Sequence, residues 1–342
     1  MESKKRVLQP ENGGPPVSCI RPFVSFIIVN LNTKKLLLDC ISSVRQTARA
    51  LDHEIWVVDN GSSDESIGAL RESFPDVKVI ENKRNVGFAR ANNMAIARAS
   101  GRYLVMLNTD AMLTEGAAAT AIGFMETQTD AALCGAQLLN ADGTKQNSIS
   151  NIPGLLTELT NKSLLRRIFP GRYLGKESKI DGPVEVESVI GAFMTVRKKA
   201  VEETGMMDED FFFFLEETDW CLRFRKIKKG FWKVYHHPGV RVFHLQGQTA
   251  RKNRARARIE YWRSRYLFFR KHRSLAARSV LRVGLFIRLL LDLCLSLLGN
   301  MVTFFSSDRK REKLKTYWAL LLWHLAGCPA AWGFSNTKET IE

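Results

Sequence analysis

Three carboxylates, Glu216, Glu217 and Asp219, fall within four positions directly behind the run Phe211-Phe212-Phe213-Phe214-Leu215. A solvated loop has no use for such an aromatic run, and clustered acids repel unless a metal, an arginine such as Arg223 or a polar ligand offsets them. One of the three suits a general base that takes a proton from a hydroxyl as it attacks. An acidic first helical turn favoured by the helix dipole explains Glu216 and Asp219 equally well, and Glu217 less well.

A second group, Asn108-Thr109-Asp110, closes an apolar run over residues 103–107. Residues two apart on an extended chain share a side, so Asn108 and Asp110 offer oxygens to one point. A divalent cation held there would bind a nucleotide diphosphate and neutralise charge on it as a leaving group, although Asn and Asp are also ordinary turn formers. His244 ends the run 240–243. Alone it reads as a core or surface histidine; with Asp110 it becomes a candidate metal ligand. Asp59, followed by Asn60-Gly61-Ser62-Ser63, suits a nucleoside pocket, while a helix N-cap at Ser63 or Asp64 is the plainer reading. Asn85-Val86-Gly87-Phe88-Ala89 is a glycine turn entering a helix, weak by itself as a phosphate loop. Together these groups point to metal-assisted transfer of a sugar.

The elements that must position them read as strands over residues 24–30, 54–59, 77–81 and 103–107, alternating with helices near 36–50 and 89–99. This alternation predicts a doubly wound α/β sheet, whose ligands sit beyond the carboxyl ends of the strands. Further along, a helix to about 128 and a strand over 133–138 precede a polar stretch to 183, a plausible acceptor-binding insertion. Strands are then expected over 186–197, 231–235 and 240–244, with His236 and His237 as turn residues before Pro238.

The 342 residues carry a formal charge of +16, with ten basic residues and one acid over 251–273. Such an excess implies an anionic partner. Six scattered cysteines, Cys19, Cys40, Cys134, Cys221, Cys294 and Cys328, form no metal or disulfide pattern and read as buried thiols. Residues 1–21 read as a loose leader without a signal peptide, and residues 249–342 as a basic, amphipathic helical region. In that region Arg288, Asp292, Ser296 and Asn300 form one polar stripe four apart. A charged stripe is costly at a bilayer centre, so these helices are expected in the membrane interface, with Trp318, Trp323 and Trp332 at headgroup level.

From residue 24 to residue 247 these motifs resemble family 2 glycosyltransferases of the GT-A fold, similar to bacterial rhamnosyltransferases of polysaccharide and O-antigen assembly. The family's opening strand is matched by Val24-Ser25-Phe26-Ile27-Ile28-Val29-Asn30-Leu31-Asn32, which puts Asn30 and Asn32 on the donor side with Asp59, Asn60, Gly87 and Asn108. Its metal-binding position falls on Asn108-Thr109-Asp110, its acceptor-side segment on Gly191-Ala192-Phe193-Met194, and its final His-x-x-Gly on His244-Leu245-Gln246-Gly247. One departure stands out: the family's usual Glu-Asp is Glu216-Glu217 here, so the implied base is Glu217, one methylene longer, with Asp219 second.

The resemblance implies a GT-A domain over residues 22–248, a mixed sheet followed by an amphipathic helical tail that associates with membrane. It implies inversion at the anomeric carbon, Mg²⁺ or Mn²⁺ on Asp110 and His244, and a nucleotide-sugar donor, dTDP-rhamnose before UDP-galactofuranose or another hexose. The implied acceptor is a lipid-linked glycan at the anionic cytoplasmic face of the plasma membrane, with oligomerisation open. Donor chemistry is expected to survive removal of the chain after residue 248, since the residues assigned to it precede the cut. The rivals are a nucleic-acid-binding protein, which the apolar segments after the basic cluster disfavour, and an inactive scaffold.

Overall fold

The computed structural model describes residues 23–245 and 253–334. The leader at 1–21 with Cys19, and the stretch 246–252 with Gln246, Gly247 and Arg251, lie outside the described residues. Strand β1 (Val24–Asn30) is apolar throughout its middle, and its pleat sends Phe26 and Ile28 into one core and Ile27 into another. Burial on both faces is what such a run requires. Strands β2 (His53–Asp59), β3 (Lys78–Glu81) and β4 (Tyr103–Asn108) join it in parallel, in the order β3-β2-β1-β4. Helices α1 (Lys34–Thr47), α2 (Ser66–Ser73) and α3 (Phe88–Ile96) make the connections, as the alternation predicted. Helix α2 is entered through Glu65 in a left-handed conformation, so the N-cap position falls one residue after Asp64, whose carboxylate nonetheless accepts from the first amide of the helix, Ser66, at 3.2 Å and from the Lys34 amide at 2.8 Å.

Past β4 the sheet turns mixed. The chain runs through β5 (Ala111–Leu113), α4 (Ala117–Thr127), β6 (Ala131–Leu139), β7 (Ile149–Ser150), α5 (Leu155–Leu159), α6 (Lys162–Ile168), β8 (Val184–Glu185), β9 (Ser188–Val189), β10 (Phe193–Arg197), α7 (Lys198–Thr204), α8 (Glu216–Lys226) and β11 (Lys233–His244). Strand β10 lies antiparallel between β4 and β6, and β11 and β5 complete that side. One face carries α1 and α4, the other α3, α7 and α8.

Strand β11 corrects two expectations. It is one strand, and His236 and His237 lie within it, paired with Gly135 and Ala136. Pro238 is tolerated because the register shifts between His237 and Arg241, the irregularity at which a missing N–H does no harm. Burial pushes His236 down to about 4, so it is a neutral core residue.

Three helices follow: α9 (Arg254–His272), α10 (Leu275–Val302) and α11 (Asp308–Leu325). The basic residues 309–311 and 313 lie in the first turns of α11. These helices bury Trp262, Phe268, Leu285 and Trp323 against Phe211, Leu215 and Leu222 of the central domain. Trp323, expected at headgroup level, is 1% exposed and stacks on Tyr266. The polar stripe of α10 shares its face with the buried Leu281, Leu285 and Leu289, and Arg288 reaches the Glu158 carbonyl. The opposite face, with Val283, Ile287, Leu291 and Leu298, is exposed and apolar. Among the described residues no helix is long and apolar enough to cross a membrane. Cys40, Cys134 and Cys221 are buried as expected, whereas Cys294 is exposed and Cys328 partly so.

Candidate active site

Register assembles the site. Asn30 pairs with Asp59 across β1 and β2, and Val29 with Asn108 across β1 and β4, so the polar ends of three apolar strands emerge side by side. Parallel strands place their carboxyl ends on one edge, which is why residues far apart in sequence converge there.

Of the residues expected on the donor side, Asn30, Asn32, Asp59, Asn60 and Gly87 join one hydrogen-bonded frame. The Asp59 carboxylate accepts from Asn30 Nδ2 at 2.9 Å and from the amides of Gly61 and Ser62 at 3.1 and 2.8 Å. Asn32 is left-handed (φ 51°), and its Oδ1 accepts from the Ser63 amide at 2.7 Å. Asn60 donates to Asn85 Oδ1 at 3.2 Å and to the Gly87 carbonyl at 3.3 Å. Gly87 needs its lack of a side chain: φ is 92°, and a Cβ would stand 2.8 Å from the Phe212 carbonyl oxygen. The next amide, Phe88, donates to that same oxygen at 2.8 Å, tying the acidic loop to the donor side.

His244 Nε2 lies 3.4 Å from Asp110 Oδ1, and both side chains are nearly buried. Gln146, unremarked in the sequence, explains how the imidazole is set. Its Nε2 donates to Leu139 O, Asn140 Oδ1 and His244 O, leaving Oε1 to face His244 Nδ1 at 3.1 Å. Nδ1 therefore carries a proton, and in the neutral ring Nε2 turns its lone pair toward Asp110. Two electron-pair donors face each other across a gap suited to a proton or a cation. The buried Asn108 Oδ1 has no hydrogen-bond partner, so a third donor atom near the strand end is free for a ligand. These groups fit a divalent cation completed by phosphate or water oxygens. Among the described residues no three His, Cys, Asp or Glu side chains gather as a ready-made metal site.

The acidic cluster separates into three environments. Glu216 is buried, and burial followed by the charge of Glu217 pushes its carboxyl well above the usual range. Asp219 is 0% exposed, and both of its oxygens are engaged, by Arg223 Nε at 2.7 Å and His272 Nε2 at 2.6 Å. Despite the opposing effect of burial, these bonds hold its pKa below the ordinary value. Glu217 is half-buried at the N-terminus of α8, and burial raises its carboxyl to about 7. Gly191 runs beside it, a Cβ there lying 3.5 Å from Glu217 Cγ, and the next carbonyl, Ala192, accepts from the Asn108 amide at 3.1 Å. The Gly191-Ala192 segment thus joins Glu217 to the Asn108 strand end. His272, missed in the sequence, comes from the C-terminal region.

Among known proteins, the chain is 23% identical over 245 residues to an N-acetylglucosaminyl-diphospho-decaprenol L-rhamnosyltransferase of Mycobacterium tuberculosis, covering 67% of this chain and 78% of that protein. It is 26% identical over 205 residues to a poly(ribitol-phosphate) beta-glucosyltransferase of Bacillus spizizenii, over 56% of this chain but only 32% of that longer protein. The low-salt glycan biosynthesis hexosyltransferase Agl10 of Haloferax volcanii is 26% identical over 59% of this chain and 62% of its own length. The chain therefore spans less than two thirds of these last two relatives. Its fold matches that of the mannosyltransferase PcManGT from Pyrobaculum calidifontis, solved with GDP-Man and Mn²⁺, with a TM-score of 0.55, 15% identity, and 90% and 87% of the two chains covered. The mixed sheet is consistent with a GT-A fold, and the family model for glycosyl transferase family 2 matches residues 25–205, so the chain belongs to that family.

Proposed function

We propose that this chain is an inverting transferase that moves a sugar, preferentially rhamnose from dTDP-rhamnose, to a hydroxyl of a lipid-linked glycan in cell-surface polysaccharide assembly. The observation that carries this reading is the placement of Glu217 and the Asn108-Thr109-Asp110 turn on either side of Gly191-Ala192. The similarity to a rhamnosyltransferase named for a diphospho-decaprenol acceptor supports the donor and the lipid linkage. Glu217 takes the proton of the acceptor hydroxyl while its oxygen bonds to the anomeric carbon. The bond from that carbon to the diphosphate oxygen breaks, and the electron pair leaves with the nucleotide diphosphate. A single displacement inverts the carbon and needs no covalent sugar intermediate. Asp110, His244 and Asn108 would hold Mg²⁺ or Mn²⁺, which when bound neutralises charge on the leaving group. Gln146 keeps His244 in the tautomer this demands.

A panel of nucleotide sugars with lipid extract, scored for nucleotide diphosphate release, tests the reading; no release from any donor overturns it. Excess EDTA is expected to stop turnover and Mn²⁺ to restore it. Asp110→Ala should abolish turnover, whereas His244→Ala should leave a reduced rate partly rescued by added Mn²⁺. Full activity in excess EDTA would overturn the metal assignment at Asp110 and His244.

The outer face of α10 is assigned to the anionic cytoplasmic leaflet, where the acceptor resides. Exposed Ile287 and Leu291 supply apolar contact, Trp318 is 54% exposed, and Arg309, Lys310 and Arg311 at the start of α11 meet lipid phosphates. Removing one such side chain from lipid costs about 1.5–3 kcal/mol. Ile287→Asp and Leu291→Asp are therefore each expected to weaken binding to anionic vesicles by about ten- to a hundredfold, leaving donor hydrolysis unchanged. Unaltered sedimentation with vesicles would remove α10 from the membrane contact.

A further inference from the structure

We propose that helix α9 sets the position of Glu217, with His272 and Ser264 as positioning residues; this rests on the reading of Glu217 as the base. The chain enters α8 through Phe214 and Leu215, two consecutive residues with φ of 71° and 67°, neither of them glycine. Side chains at such angles crowd the following carbonyl, so the corner persists only if its surroundings over-determine it. Leu215 stands at the N-cap without a side-chain hydrogen bond, and the local restraints are the Phe213–Phe214 ring contact at 4.3 Å and the backbone bonds of the first turn to the Glu217 carboxylate.

Further restraint comes from α9. Ser264 Oγ donates to the Phe213 carbonyl at 2.8 Å, immediately before the corner. The Tyr261 ring meets Phe214 edge-on at 5.6 Å. Two residues past Glu217, Asp219 is held by His272 at 2.6 Å and, through Arg223, by the Met206 carbonyl at 2.8 Å. Lys271 lies 2.6 Å from both Asp208 and Asp210 and ties down the loop that leads in. The strained corner and the first turn of α8 are thus gripped by α9 on both sides of Glu217, beside the Phe88 amide on the Phe212 carbonyl and Ser188 Oγ on Thr218 Oγ1.

A merely structural ion pair would affect folding and leave the chemistry of folded protein alone, so the test reads the chemistry. Glu217 is faced by Glu216 and Cys221 of its own helix and by Tyr261 of α9, with Glu260 beyond Glu216 and with Arg258, Arg265 and Glu158 beyond Tyr261. His272 is faced by Asp219 and Arg223, with the Phe268 ring at 4.8 Å and Lys271 beside it. Freeing the first turn of α8 admits water to Glu217 and misplaces it. In the full chain with donor and acceptor, His272→Ala is expected to lower kcat on the order of 10²-fold, the effect of an ångström-scale misplacement. The donor KM should change little. The acid limb of the kcat profile should shift downward from about 7, toward the ordinary carboxylate range, as burial is lost.

His272→Gln keeps a nitrogen donor near the Nε2 position and should recover most of the rate and the acid limb. Ser264→Ala should act in the same direction more weakly, and it supplies the readout if His272→Ala does not fold. Wild-type kcat with an unmoved acid limb in the folded variants overturns the proposal, as does a His272→Gln enzyme no better than His272→Ala. If Glu217→Gln retains turnover, the base assignment itself falls. If Glu217→Gln is inactive while His272→Ala and Ser264→Ala behave as wild type, only the role of α9 falls.

Discussion

Glu217→Gln is expected to lower turnover about 10²–10⁴-fold, the usual worth of general base catalysis, while donor binding survives. The amide keeps the shape of the carboxylate but cannot accept the acceptor's proton. Because burial raises Glu217 to about 7, the ionised, working form accumulates only as pH climbs through that value. Wild-type kcat should therefore rise through about pH 7 and level off above it, and the residual rate of the variant should lack this limb. The stability sign runs the other way. A carboxyl whose folded pKa is raised binds its proton more tightly in the folded state, so its contribution is full below the unfolded pKa and lost as pH rises through the folded one. Glutamine suffers no such loss, and at pH 8 the variant should melt no lower than wild type. Thermal melts beside the diphosphate-release assay separate lost chemistry from lost fold. Near-normal turnover in Glu217→Gln, together with a folded but inactive Asp219→Asn, would move the base to Asp219.

Ending the chain at residue 248 is expected to abolish activity through loss of the folded domain, contrary to the expectation that donor chemistry would outlast the cut. The C-terminal helices cover Phe211, Leu215 and Leu222 in one continuous cluster. Each of these side chains loses about 1.5–3 kcal/mol when returned to water, so the three together rival the roughly 5–15 kcal/mol stability of a whole domain. The cut also strips His272 from Asp219, leaving the Arg223 ion pair to hold that carboxylate. The shortened protein should aggregate or show non-cooperative melting, and no donor hydrolysis. A soluble truncated protein that melts cooperatively and hydrolyses donor would show that α9 to α11 are a separable appendage.

The sequence by itself determined the strands from β1 to β4 and the polar edge where they end, because apolar runs buried on both faces of a parallel sheet have a local signature. Their polar ends, Asn30, Asp59 and Asn108, mark where chains leave the core, and Asp110 follows in the next turn. The pairing of Asp110 with His244 was legible as a candidate from residue types at two strand ends and reinforced by the resemblance, and the structure adds Gln146 behind the imidazole, 98 positions away in the chain. The same limit applies to His272, which reaches Asp219 over 53 positions. Periodicity assigns residues to one face of a helix but not that face to a neighbour. In α10 the stripe from Arg288 to Asn300 was read correctly as a face, yet packing turned it toward the protein with the buried leucines and left the apolar face outside. In β11 the proline signal at Pro238 was genuine, but pairing with β6 absorbed it as a register shift instead of ending the strand. Local propensity and pattern are properties of a few neighbouring residues; which acid is buried, paired or left half-exposed depends on contacts between distant segments, and only the tertiary structure decides those.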